Sequence, residues 1–427
     1  MRILLASDHY PPAIGGGQLT TWFLAKELAR RGHAITVATV WQPRLTDNEV
    51  DNDVLVFRLR QLRTAVPHLA RHDGTYHQPP FADPVTTVAL RRLINRFQPD
   101  IVHSHGWISY SCAAALLGKP TPLVLSARDY GYICANRTLL RYGRICDGPA
   151  VGKCVKCAGA SYGRPKGWLA ALAVLGGRGL LRRKIAGVHS VSEYVRNQVA
   201  RRLADDLGRS IADPVIHETV TEDSTDITMD DISPYLSHLP HEPFILFVGA
   251  LRRVKGVEEL LAAYRRLGSA PPLVLIGTRE PDTPLEIPPG VQVLTDFSHA
   301  AVLEAWNRCL FGVIPSRLPE PFGMVLVEAM HAQKAVITTV PGGHGDLVID
   351  GVTGLLVPPG DAKALEHAMR RLLTDGVLRD RLAESGYQRA STITADRALS
   401  AFEEFYRQVG SAHDSAVRFD ANNAGRP

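Results

Sequence analysis

Apolar residues gather in short β-rich runs at 3–6, 35–40, 54–57, 101–103 and 123–125, with stretches of helix length between them. Strands spaced in this way imply parallel βαβ units. After Gly15-Gly16-Gly17, the apolar spacing of Leu24, Ala25 and Leu28 and the stop at Gly32 predict the first crossover helix. The alternation restarts at 244–249 and continues through 273–276, 291–294, 311–314 and 335–338. A stripe of Leu399, Phe402, Phe405 and Tyr406 predicts a closing helix over 395–410, and the polar residues 411–427 are expected to be disordered. The pattern is that of an α/β chain with two Rossmann-like, doubly wound domains, one over 1–212 and one over 243–394. In open α/β sheets ligands sit beyond the carboxyl ends of the strands, so the loops there are where chemistry is sought.

Length and charge refine this division. A chain of 427 residues, 45% hydrophobic, is too long for one ordinary core and long enough for two. The first apolar run is too short for a signal peptide, and no run has the length needed to cross a bilayer. A cytoplasmic location is therefore expected, with any membrane contact peripheral. The net charge of +5 is unevenly spread: residues 137–184 hold eleven Lys/Arg against the single acid Asp147. This marks a basic, Cys-containing insertion at 130–185. Residues 210–251 hold eight acids and no Lys or Arg, and 213–242 reads as a solvated acidic connector.

The most informative segment follows the run at 311–314. The chain passes Pro315-Ser316-Arg317-Leu318-Pro319-Glu320-Pro321-Phe322-Gly323 and enters an apolar helical pattern through Val327 and Met330. A helix starting near Gly323 leaves the N–H groups of Gly323, Met324 and Val325 unpaired, with partial positive charge suited to a diphosphate. Glu320 and Glu328 flank that point. Each carboxylate can accept hydrogen bonds from vicinal hydroxyls, one pair on a sugar and one on a ribose.

The Glu320/Glu328 spacing, E-x7-E, resembles that of the retaining GT-B glycosyltransferases of family GT4. Phe247-Val248-Gly249, Lys255-Gly256, Glu328-Ala329-Met330, Gly342-Gly343 and Asp350-Gly351-Val352-Thr353-Gly354 follow in the family's order. Tyr10-Pro11-Pro12, the triple glycine and Asp100-Ile101-Val102-His103-Ser104-His105 extend the likeness to the first half. The resemblance implies two domains facing across a cleft and metal-independent transfer of a sugar from a nucleotide donor to a glycan, lipid-linked or small hydroxylated acceptor, as in polysaccharide biosynthesis. Glu320 would hold the sugar hydroxyls, Glu328 the ribose and Lys255 the diphosphate, with Phe322, Gly323, Met324 and Val325 at the donor and Gly15, Gly16 and Gly17 on the facing wall. Two further readings share the scaffold: a catalytically weak protein that binds a nucleotide sugar or a partner, and a GT-B epimerase or phosphorylase.

Two positions depart from the family. Ala250 stands where an arginine is usual, so that Arg252 or Arg253 is a candidate replacement. Arg128, in Ser126-Ala127-Arg128-Asp129, stands where a histidine is usual, and Arg128 and Asp129 are placed with the catalytic residues. Arginine cannot act as a base. His105 ends a strand at the ligand edge and is a candidate on the acceptor side. Asp51-Asn52-Asp53 precedes a strand and reads as a polar turn.

Cys134, Cys146, Cys154 and Cys157 leave two readings open, a structural zinc with Cys154 and Cys157 in a chelate turn, or free thiols. Residues 164–184 combine Trp168, Leu169 and Leu172 with arginines and lysines and no acid. This stretch is read either as a surface helix meeting an anionic membrane, whose long amphipathic face Gly176-Gly177 would interrupt, or as a core helix with a solvated basic end. No nucleic-acid partner is expected, because no reading motif accompanies the charge.

Overall fold

The computed structural model describes residues 1–12, 16–65, 76–205, 211–219 and 229–424. The chain divides into two units, one of Met1–Leu139, Asp147–His217 and Asp396–Pro427, the other of Leu140–Cys146 and Glu218–Ala395. In the first unit the strands are β1 (Arg2–Ser7), β2 (Ala34–Val40), β3 (Asn48–Asp51), β4 (Val54–Leu59), β5 (Ile101–His105) and β6 (Leu123–Ala127). A short antiparallel hairpin of β7 (Leu140–Arg141) and β8 (Arg144–Ile145) belongs to the second unit, and β9 (Ile185–Ser190) completes the first sheet. Its order is β3-β4-β2-β1-β5-β6-β9. All pairs are parallel except β3 with β4, where Asn52 and Asp53 turn the chain with positive φ. That is the hairpin chemistry of a polar turn.

The second unit contains β10 (Ile245–Val248), β11 (Leu273–Ile276), β12 (Val291–Leu294), β13 (Phe311–Ile314), β14 (Ala335–Thr339) and β15 (Leu355–Val357), all parallel, in the order β12-β11-β10-β13-β14-β15. Both parallel sheets thus have the 3-2-1-4-5-6 order of a Rossmann domain. In such a sheet the ligand crevice opens where the order reverses, here between β1 and β5 and between β10 and β13.

The helices used below are α1 (Gly16–Arg30), α2 (Pro84–Phe97), α3 (Ile108–Ala115), α4 (Val151–Tyr162), α5 (Lys166–Lys184), α6 (Val257–Leu267), α7 (His299–Arg308), α8 (Met324–His331), α9 (Ala362–Thr374), α10 (Gly376–Ala390) and α11 (Ala395–Ala424). Their starts follow the side chains. Asp83, Ser298, Asp361 and Asp375 each accept a first-turn N–H, of α2, α7, α9 and α10 respectively.

The last helix departs from expectation in extent. It runs to Ala424 instead of ending at 410, because no proline or glycine after Gly410 stops it before that point. Leu399, Phe402, Phe405, Tyr406 and Val409 join Ile3, Leu5, Val37, Ile101 and Val124 in the core of the first unit. Gly187 on β9 permits that approach, since a Cβ there would lie 2.6 Å from the Phe405 ring. Arg31 adds ion pairs to Asp396 (2.5 Å) and Glu403 (3.0 Å).

Helix α5 continues through Gly176 and Gly177, and a Cβ at Gly177 would lie 2.5 Å from the Tyr110 ring, so close packing asks for glycine there. One further expectation changes. Cys154 and Cys157 stand one turn apart on α4, not in a chelate turn. Residues 151–162 lack proline, and the helix absorbs the pair.

Candidate active site

The loops after β10 and β13 leave the second sheet at its switch point, and they carry Lys255 and Glu320. Lys255 ends a single 3-10 turn, Arg253–Lys255, and Gly256 then adopts φ +75° to start α6. A Cβ on Gly256 would lie 1.9 Å from the Pro315 carbonyl oxygen. This close crossing of the two loops brings Lys255 Nζ to 2.7 Å from Glu320 Oε1. Gly256→Ala is expected to destabilise the second unit by about 3 kcal/mol, from the left-handed backbone and the clash together, and to lower donor affinity in parallel. A urea titration that leaves the midpoint unmoved would contradict this account.

The loop from 315 to 323 is braced on three sides. Ser316 Oγ donates to Glu320 Oε1 at 2.5 Å, and Thr339 Oγ1 donates to the Ser316 carbonyl at 2.6 Å. Arg317 donates through Nε to the buried Glu259 of α6 at 2.8 Å, and its N–H bonds the Val254 carbonyl. Gly343 N–H donates to the Glu320 carbonyl at 2.6 Å, and a Cβ on Gly343 would lie 2.1 Å from the Pro321 carbonyl oxygen. The Gly342-Gly343 pair is therefore the bed on which the Glu320 turn lies.

Glu320 is only 8% exposed. Burial pushes its carboxyl up, but the Lys255 charge and the hydrogen bonds from Lys255 and Ser316 more than offset this and hold it below the usual carboxylate range. Gly323 caps α8 with φ +104° and leaves the first N–H groups of that helix without intrahelical acceptors. Glu328, one turn in, is 8% exposed, and its Oε1 lies 3.1 Å from His299 Nε2. That hydrogen bond raises the His299 pKa. Phe322 is buried, so its part in the site is to fix the turn. Met324 and Val325 form the first turn of α8 and are half-buried.

His344 escaped sequence reasoning. It is 1% exposed, and a Cβ on Gly323 would lie 2.5 Å from its Nε2. Thr338 Oγ1 donates to the Ile314 carbonyl at 2.9 Å, so at 2.5 Å from His344 Nδ1 it acts as the acceptor. Nδ1 then carries the proton and Nε2 presents a lone pair with no partner among the described residues. Burial lowers the His344 pKa to about 4 and keeps the ring neutral. No motif announces this residue, because its place depends on Thr338 and Gly323.

Neither candidate replacement for the missing arginine at Ala250 is uncommitted. Arg252 Nε lies 3.3 Å from Asp282 Oδ1, and Arg253 Nε donates to Glu258 at 2.7 Å.

In the first unit, Gly16 and Gly17 open α1, and Gly15 lies outside the described residues. Arg128 follows β6 and donates to Thr21 Oγ1 of α1 at 2.8 Å. Asp129 is bound to Arg137, whose Nη2 is 2.6 Å away, and accepts the Gly131 N–H, so it stabilises its loop. Asp8, after β1, was not singled out by its sequence context. Its carboxylate accepts the Trp107 and Ile108 N–H groups at 2.9 and 2.7 Å, and burial pushes its pKa up to about 6 against the Arg137 charge and these two bonds. His105 ends β5, 4% exposed, with neither ring nitrogen hydrogen-bonded among the described residues.

Among the cysteines, Cys157 Sγ accepts from Asn136 Nδ2 at 3.3 Å and Cys154 Sγ accepts the Ala150 N–H at 3.4 Å. None of the six forms a disulfide, and among the described residues no three His, Cys, Asp or Glu side chains gather as a metal-binding group.

Both halves of the chain resemble known proteins. Residues 230–389 match the family described as glycosyl transferases group 1, and residues 15–206 match the glycosyl transferase 4-like domain. The chain belongs to the GT4-like glycosyltransferases. Glycogen synthase of Mycobacterium tuberculosis is 25% identical over 426 residues, which covers 92% of this chain and 91% of that one. The alpha-D-kanosaminyltransferase of Streptomyces kanamyceticus is 31% identical over 40% of this chain and 47% of its own length. Among solved structures, sucrose-phosphate synthase from Thermosynechococcus elongatus has a TM-score of 0.72 at 21% identity, covering 96% of this chain and 99% of that one. Anabaena HepE in complex with UDP-glucose has a TM-score of 0.66 at 17% identity, covering 97% and 100%. The glycosyltransferase therefore has the GT-B fold. No helix among its described residues is long and apolar enough to cross a membrane.

Proposed function

We propose that this glycosyltransferase moves a sugar from a nucleoside-diphosphate donor to a hydroxyl of a glycan, lipid-linked or small acceptor, with retention of configuration and without a catalytic metal. The observation that carries the reading is the Lys255–Glu320 pair at 2.7 Å before the glycine-capped start of α8. Ionised Glu320 offers a buried acceptor for sugar hydroxyls, and Glu328 offers a second for the ribose. Lys255 and the α8 N–H groups form a fixed positive field for the diphosphate, which gains charge as the glycosidic bond breaks. In a front-face displacement the departing phosphate oxygen takes the acceptor proton, and no protein nucleophile is needed.

A second reading, a GT-B scaffold that binds a sugar nucleotide without turnover, draws on Ala250 and on the engagement of Arg252 and Arg253 by Asp282 and Glu258. A thermal-shift screen of nucleotide sugars, followed by product analysis with the best donor, separates the two. A donor-dependent rise in melting temperature that is lost in Glu320→Ala, together with an α-linked product from an α-linked donor, is the expected result. A shift without product favours the scaffold, an inverted product rejects retention, and no shift with any sugar nucleotide rejects both readings.

A further inference from the structure

Helices α4 and α5 form a hairpin in the first unit whose glycines bring the two backbones together: a Cβ on Gly167 would lie 2.1 Å from the Ala158 carbonyl oxygen, and one on Gly159 would lie 2.8 Å from Trp168 Nε1. The inner face of α5 is already apolar, with Gly167, Ala171, Val174 and Leu181 buried. Its outer face is apolar as well. Trp168, Leu169 and Leu172 are 40%, 67% and 49% exposed, and at helical spacing they share one stripe with the exposed Gly176, Gly179 and Arg183. A helix with apolar residues on both sides needs a second apolar environment for the outer one.

The charge around this face selects the environment. Residues 148–184 contain eight Lys/Arg and no acid. Lys153 is paired with Asp147, and Lys184 donates to the Lys119 carbonyl. At the tip, residues 160–166 are all exposed, including Tyr162, Arg164 and Lys166, and the Arg164 guanidinium lies 5.5 Å from the Trp168 ring centroid. Leucine on a helix face, an aromatic pair beside it and flanking cations without a carboxylate make a surface that matches the layered chemistry of a bilayer, with acyl chains below and anionic headgroups at the level of the rings and cations.

We propose that the α4–α5 tip is a docking surface for an anionic phospholipid bilayer. The first turns of α5 enter the interface through Trp168, Leu169 and Leu172, and Arg164 and Lys166 meet the headgroups. The contact is peripheral and does not depend on the transferase reading. Its role would be to hold the first unit at a membrane surface.

Co-sedimentation of the full chain with vesicles tests it, using phosphatidylcholine alone against phosphatidylcholine mixed with phosphatidylglycerol. The wild type is expected to sediment with the mixed vesicles only, and less so as salt is raised. Arg164→Gln with Lys166→Gln is expected to weaken binding about twenty-fivefold, at about fivefold per cation. Leu169→Gln with Leu172→Gln is expected to weaken it about tenfold or more. Both pairs are exposed, so melting temperatures are expected to stay at the wild-type value. No binding to the mixed vesicles, or equal binding by the wild type and both variants, overturns the proposal. It is also overturned if the leucine variant abolishes a dimer seen in sedimentation velocity while vesicle binding persists, since the face then serves a second protein copy. The donor-dependent thermal shift is an independent readout, so the failure of either idea is recognisable alone.

Discussion

Lys255→Met is expected to lower kcat/KM for glycosyl transfer about a thousandfold, the size of effect found when one preorganised group facing developing charge is removed. Two losses combine. The departing diphosphate loses the only cation of this loop that the described carboxylates Asp282 and Glu258 do not engage; the Lys255 partner, Glu320, is instead the group expected to turn towards the sugar. Glu320 in turn loses the charge that offsets its burial. With only Ser316 left as a donor, its pKa should rise. The variant should therefore recover part of its activity as pH increases, because the ionised carboxylate, needed to accept from sugar hydroxyls, returns at higher pH. The wild type, with Glu320 held below the usual carboxylate range, should show no such rise above neutrality from this group. Activity within about tenfold of wild type would remove Lys255 from the transition state.

The expectation for Lys255 and Glu320 was available from the amino-acid order because both belong to contiguous motifs at strand ends. A run such as Phe311–Ile314 followed by a proline-rich loop and an apolar helix is local information. The supports are not local. Arg317 reaches Glu259, Gly256 must be glycine because of Pro315, and His344 is fixed by Thr338; each relation joins residues that only the sheet order brings together. Strands were lost for similar reasons. β9, Ile185–Ser190, contains a glycine and follows α5 without a turn signal, and β15 has only three residues. In each case the parallel neighbour supplies what the short apolar run lacks. The return of α11 to the first unit was likewise out of reach, since an apolar stripe says that a helix face is buried but not against which core.

The histidines of the first unit make it acid-sensitive. Four hydrogen bonds link Tyr406, His103, Ser126, His189 and the Ile216 carbonyl, each at 2.8 Å. The carbonyl can only accept, and this sets every direction: His189 Nε2–H donates to it, Ser126 O–H to His189 Nδ1, His103 Nε2–H to Ser126, and Tyr406 O–H to His103 Nδ1. Both histidines are neutral in this chain, and protonation of either would turn an acceptor into a donor. Burial lowers the His189 pKa to about 3 and those of His103 and His105 well below the usual value, with Arg128 acting in the same direction on all three. The unfolded chain binds protons at these positions below pH 6.5 while the folded chain does not, so stability falls as pH drops, by about 1.4 kcal/mol per pH unit for each histidine. Asp8 opposes this below pH 6, because its raised pKa lets the folded chain take up a proton first. From pH 7 to pH 5 the first unit is expected to lose stability, the loss from the histidines exceeding the gain from Asp8, as measured by urea unfolding. His189→Gln should be less stable at pH 7, through loss of a fitted acceptor, yet should show a shallower decline with acid. A slope unchanged by that substitution would mean that His189 is charged in the folded chain, and the bonds from its Nδ1 through Ser126 and His103 to Tyr406 would have to run the other way, while Nε2–H still donates to the Ile216 carbonyl.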